Sequence, residues 1–283
     1  MLRLRVMQPA DIPFAVRLTN QESWDIPARD FQRILRLDAR GSFIATSGTQ
    51  KVGLTTTTRY GREISWIGNV VVRKQLRHKH IGQYLVEHAI KYLYEKRVKH
   101  IALYSFRENF KFYEKLGFLR GQSFLRLRCE GHQSSTRTRA EPPVKPLTLS
   151  SMLAMDREAF GADRRRLLKL LLGSGNAWFR GFTSGSRSAY ILVKRYEEMH
   201  EIGPWISFGE QRLLIESLLD NALNEAGGKP VEASCPTANP KVIRALKRRR
   251  FRVINKGRLM FHEHEAKFGR PEAILAYGFL DKG

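Results

Sequence analysis

Residues 66–85 read Trp66-Ile67-Gly68-Asn69-Val70-Val71-Val72-Arg73-Lys74-Gln75-Leu76-Arg77-His78-Lys79-His80-Ile81-Gly82-Gln83-Tyr84-Leu85, and an amphipathic run follows them to residue 93. The front is rich in β-branched residues and predicts a strand, whereas apolar residues at four-residue spacing from Ile81 to Leu93 predict a helix. A short and very basic turn joins the two. The first N–H groups of a helix lack partners within it and carry the positive end of its dipole. We therefore interpret this strand, turn and helix as a cradle for a pyrophosphate.

The composition suits a packed globular protein. The chain has 283 residues, enough for one large domain or two ordinary ones, and is 42% hydrophobic. No apolar run approaches the roughly 20 residues that span a bilayer. Residues 1–6 alternate apolar and basic side chains, which predicts a strand and not a signal peptide. Cys129 and Cys235 lie far apart and indicate no disulfide framework. We expect a cytoplasmic protein with no membrane part.

The charge balance is strongly basic. Lysine and arginine number 50 against 27 acidic residues, a formal net charge of +23. Such a charge attracts polyanions or an acidic ligand without naming one, so nucleic acid, ribosomes, anionic lipid and a phosphorylated cofactor all stay open. The basic runs at 164–166 and 247–250 are typical of solvated helix faces.

The first part of the chain predicts a mixed α/β domain with an antiparallel front half and a crossover helix. Asp11 is expected to cap the first helix. Another helix opens over residues 24–31, and Gly117 is expected to end a short late helix. The predicted strands cover 2–6, 42–47, 52–59, 63–73, 98–105 and 118–128, and the later helices cover 82–97 and 109–116.

Residues 131–146 lack periodicity and have the composition of a linker. The part behind them predicts helices near 149–160, 163–172, 210–225 and 240–249. Strands are predicted near 178–183, 189–195, 201–207 and 231–235, and from 251 onward. This second part repeats the order of the first: aligning Phe251 with Phe118 places Leu246 on Tyr113 and Arg250 on Gly117. The basic turn has no counterpart, so we place the chemistry in the first part.

Several segments resemble the GNAT superfamily of N-acetyltransferases. Residues 9–13 resemble its first strand-to-helix entry. Residues 77–82 lie on its acetyl-CoA pyrophosphate motif, usually Q/R-x-x-G-x-G/A, with His80 at the glycine position and His78 where glycine is common. Residues 112–118, Phe-Tyr-Glu-Lys-Leu-Gly-Phe, resemble its late helix and strand. Residues 160–164 and 202–204 and the stretch after residue 239 look like the second domain of tandem members. Histidine tolerates positive φ better than most residues.

The resemblance implies two tandem domains, each a twisted mixed β-sheet flanked by helices. Residues 1–130 would form the catalytic domain, 131–146 the linker, and 147–283 a non-catalytic second domain. Acetyl-CoA would be the donor, with its pantetheine arm along Val70, Val71 and Val72 and a backbone N–H near Val70 polarising the thioester. The pyrophosphate would lie on the basic turn, formed by Arg77, His78, Lys79, His80, Ile81, Gly82 and Gln83.

The resemblance also implies catalytic roles, each with a structural alternative. Tyr113 would be the general acid, because a phenol with a pKa of about 10 stays protonated at neutral pH and can donate to a thiolate; alternatively it is an amphipathic core tyrosine. Glu63 would be the general base, or a solvated carboxylate at a strand end. Trp24 and Asp25 would line the acceptor site, or be a packing tryptophan and an N-capping aspartate.

We expect an acetyl-CoA-dependent N-acetyltransferase in which a primary amine, on a small molecule or a protein, attacks the thioester within a ternary complex. No cysteine–histidine or serine–histidine spacing indicates an acyl-enzyme. The paired histidines at 78 and 80 and at 262 and 264 are too few for a zinc site, so we expect no metal. A different class stays open: a nucleic-acid- or ribosome-associated protein on a degenerate GNAT scaffold, with polyanions contacting the basic surface. We expect a monomer or homodimer.

Overall fold

The computed structural model describes residues 2–131, 145–209 and 212–283, and in them a single mixed sheet of 13 strands is flanked by helices. The predicted linker therefore lies largely outside the described residues. In the first part the elements are β1 (Leu2–Val6), α1 (Ile12–Asn20), α2 (Ala28–Leu37), β2 (Ser42–Ser47), β3 (Gln50–Tyr60), β4 (Ile64–Val72), α3 (Ile81–Glu95), β5 (His100–Phe106), α4 (Phe110–Glu114) and β6 (Phe118–Cys129).

The second part follows the same pattern and ends in two further strands. Its elements are β7 (Lys145–Pro146), α5 (Leu149–Phe160), α6 (Arg165–Leu172), β8 (Ala177–Ser184), β9 (Arg187–Arg195), β10 (His200–Phe208), α7 (Arg212–Glu225), β11 (Val231–Pro236), α8 (Pro240–Arg248), β12 (Arg252–His262) and β13 (Ile274–Ala276). The predicted fold class is confirmed. We call residues 1–130 the first unit and 147–283 the second unit, as predicted from the sequence.

Local signals account for most of these elements. Helix α3 buries the predicted apolar stripe, including Ile81, Leu85, Ala89 and Leu93. Gly117 has φ +85 and ends the α4 segment, and its predicted counterpart Arg250 also lies in the left-handed region, with φ +65. Phe118 and Phe251 are both buried. The internal repeat therefore extends to the backbone turn before each last long strand.

Two sequence-based interpretations need correction. The Asp11 side chain makes no capping hydrogen bond to α1; it is buried and pairs with Arg5 and Lys51, both at 2.6 Å. The backbone N–H of Gln8 also donates to Asp11 Oδ2 at 2.8 Å, so the carboxylate binds two cations and the turn before α1 in place of the N–H groups of α1. Arg164 does not lie on a solvated face: it is 3% exposed and pairs with buried Asp156.

The two units exchange their last long strands. In the sheet, β12 of the second unit lies between β5 and β6, and β6 of the first unit lies between β12 and β11. The strands pack closely at Gly257, where a Cβ would overlap the ring of Phe124. Across β6 and β11, Glu232 binds Arg126 and Arg128. Each unit thus supplies a strand to the other's sheet.

The centre of the first unit contains a split in the sheet. Strands β4 and β5 pair in parallel only over Ile64–Trp66 and His100–Ala102. Beyond this point β4 bends at a bulge opposite β3, where Asn69 has φ +51. The bulge inserts an extra residue and turns the strand. Among the described residues, the edge of β4 from residue 67 to 72 therefore has no strand partner on the β5 side.

The second unit has the same split, but a strand fills it. Strands β10 and β11 pair in parallel over His200–Ile202 and Val231–Ala233. Beyond that point β13 pairs with β10, placing Ala276 opposite Trp205 and Ile274 opposite Ile206. The part of the split that β5 leaves open in the first unit is thus closed by a strand in the second.

After β13, residues 277–283 cross to the first unit and lie against β4. Gly68 allows this approach, since a Cβ there would lie 2.8 Å from the Cα of Asp281. Asn69 donates to Asp281 Oδ2 at 3.1 Å, and the Tyr60 hydroxyl donates to the Lys282 carbonyl at 2.5 Å. We call residues 279–282 the crossing segment.

Gly68→Ala should displace the crossing segment. The new methyl group overlaps backbone atoms of Asp281, so overpacking should lower the free energy of unfolding by about 1–3 kcal/mol. Thermal unfolding without ligand measures this. Gly82→Ala is the matched control, because its Cβ would lie 3.5 Å from Phe112, an ordinary contact. Equal stability of both variants would contradict the tight packing at Gly68.

Candidate active site

A cavity of about 950 Å³ opens at the split in the first unit and is lined by both units. It collects most of the residues that the sequence singled out. These are Trp24, Asp25, Val70, Val71, Val72, Arg77, His78, His80, Ile81, Gly82 and Tyr113. Residues that are up to 89 positions apart in the sequence therefore share one site, and the fold supplies it with three distinct walls.

The first wall is the free edge of β4. Residues Ile67–Val72 all line the cavity, and this part of β4 does not pair with β5. Buried backbone N–H and C=O groups need hydrogen-bond partners. An extended ligand with amide groups can supply them by lying along the strand edge, as an added strand would.

The second wall is the basic turn before α3. His78 and His80 have φ +62 and +58, so both histidines adopt the left-handed conformation that glycine usually provides. His80 occupies the position before the first helical residue, and its Nδ1 lies 3.1 Å from Gln83 Oε1. The first N–H groups of α3 have no acceptor within the helix, an arrangement that can receive an anion.

The other side chains of the turn have different surroundings. Arg77 lines the cavity and pairs with Glu22. Lys79 and Gln83 do not line the cavity; Lys79 is exposed, and Gln83 donates to Glu87 at 2.8 Å. Contact of Gln83 with an anion in the cavity would therefore use its backbone, and Lys79 would act through its backbone or the long-range field of its ammonium group.

The third wall carries Tyr113 on α4. Its ring packs edge-on against Phe112 and Phe118, with centroid distances of 4.9 and 5.8 Å. Burial raises the pKa of the Tyr113 phenol above its ordinary value. The phenol is therefore protonated throughout the neutral range, as a proton donor at this position requires.

Glu63 lies apart from these walls. It belongs to the turn before β4, its side chain is 59% exposed, and it pairs with Lys99 at 2.9 Å. It does not line the cavity. The structure therefore brings Tyr113 together with the β4 edge but does not bring Glu63 there.

Trp24 and Asp25 lie at the cavity mouth. Trp24 is 41% exposed and so is not a packing tryptophan of the core. Pro27, and not Asp25, occupies the N-cap position of α2. Asp25 has φ +48 and is exposed. The two residues stand in the loop between α1 and α2.

Sequence reasoning missed the part of the cavity that the second unit supplies. Its lining residues include Lys194, Tyr196, Glu197, Glu198, Glu201, Glu232 and residues 279–282. No local pattern marks them, because their neighbours across the cavity lie more than 100 positions away in the sequence. The only local sign is Gly68, a small residue within a buried strand, which is typical of close approach by another chain segment.

Other polar clusters lie outside the cavity. His100 Nδ1 lies 3.0 Å from His264 Nε2, and the Tyr94 hydroxyl lies 2.7 Å from His262 Nδ1. Within the described ranges, no group of three or more metal-ligating side chains could hold an ion. No described helix has the length and hydropathy to cross a bilayer.

Family models match both halves of the chain. A model described as the acetyltransferase (GNAT) family matches residues 12–118, and a model described as an acetyltransferase (GNAT) domain matches residues 152–275. Together the two matches cover most of the sequence. The chain belongs to the GNAT acetyltransferase family. It is a tandem GNAT protein, in agreement with the motifs at the basic turn and at residues 112–118.

Solved structures show the same fold. A putative acetyltransferase from Pyrococcus horikoshii has a TM-score of 0.83 at 19% identity, covering 100% of this chain and 96% of that one. A GCN5-related N-acetyltransferase from Sphaerobacter thermophilus has a TM-score of 0.67 at 15% identity, with coverages of 94% and 97%. A tandem GNAT protein from the clavulanic acid biosynthesis pathway has a TM-score of 0.69 at 13% identity, with coverages of 94% and 100%. No curated relative matches the sequence significantly.

Proposed function

We propose that this tandem GNAT protein transfers an acetyl group from acetyl-CoA to a primary amine, by direct attack within a ternary complex. One observation carries the proposal: the unpaired edge of β4 runs into the basic turn and α3 in the same cavity as Tyr113. A CoA thioester needs a strand edge for its pantetheine arm, an anion site for its pyrophosphate and a proton donor for its departing sulfur. These three features follow one another in the cavity as the corresponding groups do in CoA.

The donor would bind mainly through backbone groups. Its pantetheine amides would pair with the β4 edge at Val70–Val72, and its pyrophosphate would accept hydrogen bonds from N–H groups of residues 78–83. The turn is already shaped for this, since His78 and His80 have positive φ. Arg77 and Lys79 would add favourable charge.

The chemistry then needs few side chains. The amine nitrogen attacks the thioester carbon, a backbone N–H near Val70 holds the oxyanion, and the C–S bond breaks. The leaving thiolate takes the Tyr113 proton, and the attacking nitrogen loses a proton to solvent, from which Tyr113 is reprotonated. We give Glu63 no part in these steps because it lies outside the cavity.

We also propose one donor site per chain, formed by residues 1–130, with residues 147–283 as a non-catalytic unit. The second split supports this, because β13 pairs with β10 where a pantetheine arm would lie. The alternative of a nucleic-acid-binding protein rests on the net charge alone, and no feature of the cavity favours it.

Acetyl-CoA should raise the melting temperature of the protein. A ligand at 100 times its Kd stabilises the native state by about 2.7 kcal/mol. His80→Gly should keep this shift because glycine adopts φ near +58 readily, whereas His80→Val should reduce it because a β-branched residue resists that conformation. Thermal unfolding with and without millimolar acetyl-CoA measures both. No shift for the wild-type protein would overturn the proposal.

The acceptor chemistry has its own test. A panel of primary amines with detection of released CoA thiol reports transfer directly. Thiol release that depends on an amine supports N-acetyl transfer, whereas release that is independent of every amine would show hydrolysis of the thioester instead.

A further inference from the structure

The acceptor side of the cavity is built by the second unit. The crossing segment lies on β4 beside Gly68 and Asn69, next to the place proposed for the thioester. We propose that Asp281 binds a second ammonium group of the acceptor there, which stays protonated while the attacking nitrogen is neutral, so that the second unit selects a cationic amine for the reaction on the first. This inference rests on the proposed acetyl transfer and adds its acceptor class.

Asp281 is held firmly at the bulge of β4. Its Oδ2 accepts from Asn69 at 3.1 Å and pairs with Lys282 at 2.5 Å. The neighbouring Lys282 carbonyl accepts from Tyr60, and the carbonyl of Gly283 accepts from Arg164 at 2.5 Å. These contacts fix the backbone that follows the carboxylate, and the Gly283 N–H, which donates to the Phe279 carbonyl at 2.9 Å, ties it to the residues before the carboxylate.

One carboxylate oxygen of Asp281 is left for a ligand. Its side chain lines the cavity and is 21% exposed, and Oδ1 accepts no hydrogen bond from the described residues. Burial by itself would raise the pKa of Asp281, but Lys282 and Asn69 outweigh it and lower the pKa. The group is therefore a lasting anion at neutral pH and a weak base, which suits holding an ammonium group and not removing its proton.

Little unpaired positive charge lies on the side of the cavity where Asp281 stands. On this side of the cavity most basic side chains are already paired: Lys282 with Asp281, Lys194 with Glu201 at 2.7 Å, and Arg126 and Arg128 with Glu232. In a separate group, Asp25, Glu197 and Glu198 line the cavity with no ion-pair partner among the described residues.

Among the basic side chains that line the cavity, Arg29 has no carboxylate partner within the described ranges. It contacts the Arg195 carbonyl and the Tyr196 ring instead. Glu108 also lines the cavity with no ion-pair partner among the described residues, so four such carboxylates stand against this guanidinium and leave an excess of negative charge, in a chain whose net charge is +23. Charged clefts concentrate counter-ions. The cavity mouth would therefore attract an amine that carries a second positive charge.

Asp281→Asn tests the role, because it keeps an oxygen for Asn69 and removes the charge. The probes are 1,4-diaminobutane and 4-aminobutanoate, which differ in the charge of the far end. The wild-type protein should show at least a 10-fold lower KM for the diamine. The variant should raise the KM for the diamine by about 10-fold or more, in line with loss of a charge-assisted hydrogen bond, with the Kd of acetyl-CoA unchanged. Glu272→Gln, an exposed carboxylate outside the cavity, is the control.

Two results would overturn the role of Asp281. One is an unchanged KM for the diamine in Asp281→Asn. The other is a weaker Kd of acetyl-CoA with the same amine KM, which would make Asp281 only a brace for β4. A wild-type protein that binds acetyl-CoA but uses neither amine, or prefers 4-aminobutanoate, would overturn the cationic acceptor. Failure to bind acetyl-CoA at all would instead overturn the proposed function.

Discussion

Tyr113→Phe should lower the turnover number about 100-fold, the lower end of the range for loss of a general acid. The thiolate would then have to leave without a positioned proton donor. The Kd of acetyl-CoA should stay nearly constant, because the phenylalanine ring keeps the edge-on contacts with Phe112 and Phe118. Steady-state kinetics with an amine from the panel, together with the thermal shift by acetyl-CoA, measures the two quantities separately.

The pH dependence gives a second measurement of the same role. Burial raises the pKa of Tyr113 above its ordinary value, so the wild-type protein should keep its proton donor well into the alkaline range. Activity should therefore not fall between neutral pH and pH about 9 through loss of this proton. Unchanged turnover in Tyr113→Phe would remove Tyr113 from the acid role while leaving the donor site intact.

Asp156→Ala should lower the free energy of unfolding by about 3–5 kcal/mol, because it leaves the Arg164 guanidinium buried without its counter-charge. The two side chains are 1% and 3% exposed and are joined by hydrogen bonds of 2.6 and 3.1 Å. The Tyr190 hydroxyl also donates to Asp156 at 2.6 Å. The melting temperature should fall by roughly 10 °C.

Glu158→Ala is the matched control for this prediction. Glu158 lies on the same helix α5, but it is 56% exposed and its partner Arg270 is 51% exposed. Exposed pairs contribute little, so the change in stability should stay within about 0.5 kcal/mol. A loss of less than 1 kcal/mol in Asp156→Ala would contradict the importance of the buried pair.

The buried pair also joins the two units. Arg164 lies over the Phe160 ring at 3.8 Å and donates to the Gly283 carbonyl. Phe160 in turn packs against Trp66 of β4, with a centroid distance of 5.3 Å. The same cluster therefore contacts both β4 and Gly283, the residue after the crossing segment. If the donor lies along β4, Asp156→Ala should also reduce the stabilisation by acetyl-CoA.

The sequence predicted the local structure around the basic turn well, because its signals are local. The strand, turn and helix of residues 64–95 follow from periodicity, and the two histidines adopt the left-handed conformation that their place in the motif requires. Tyr113 and Trp24 lie in the cavity as expected. The prediction of Glu63 as the general base rests on its position at a strand end. That position does not predict on which side of the sheet a cavity opens.

The sequence by itself determined the order of the elements, the internal repeat and the single basic turn, since each depends on residues within a few positions of one another. The tertiary structure decided which strands are neighbours. It places β12 between β5 and β6, fills the second split with β13, and brings Asp281 onto Gly68 and Asn69. A strand's pattern of apolar residues is the same whichever sheet it joins, so pairing over more than 100 residues is decided only when side chains of the whole chain pack together.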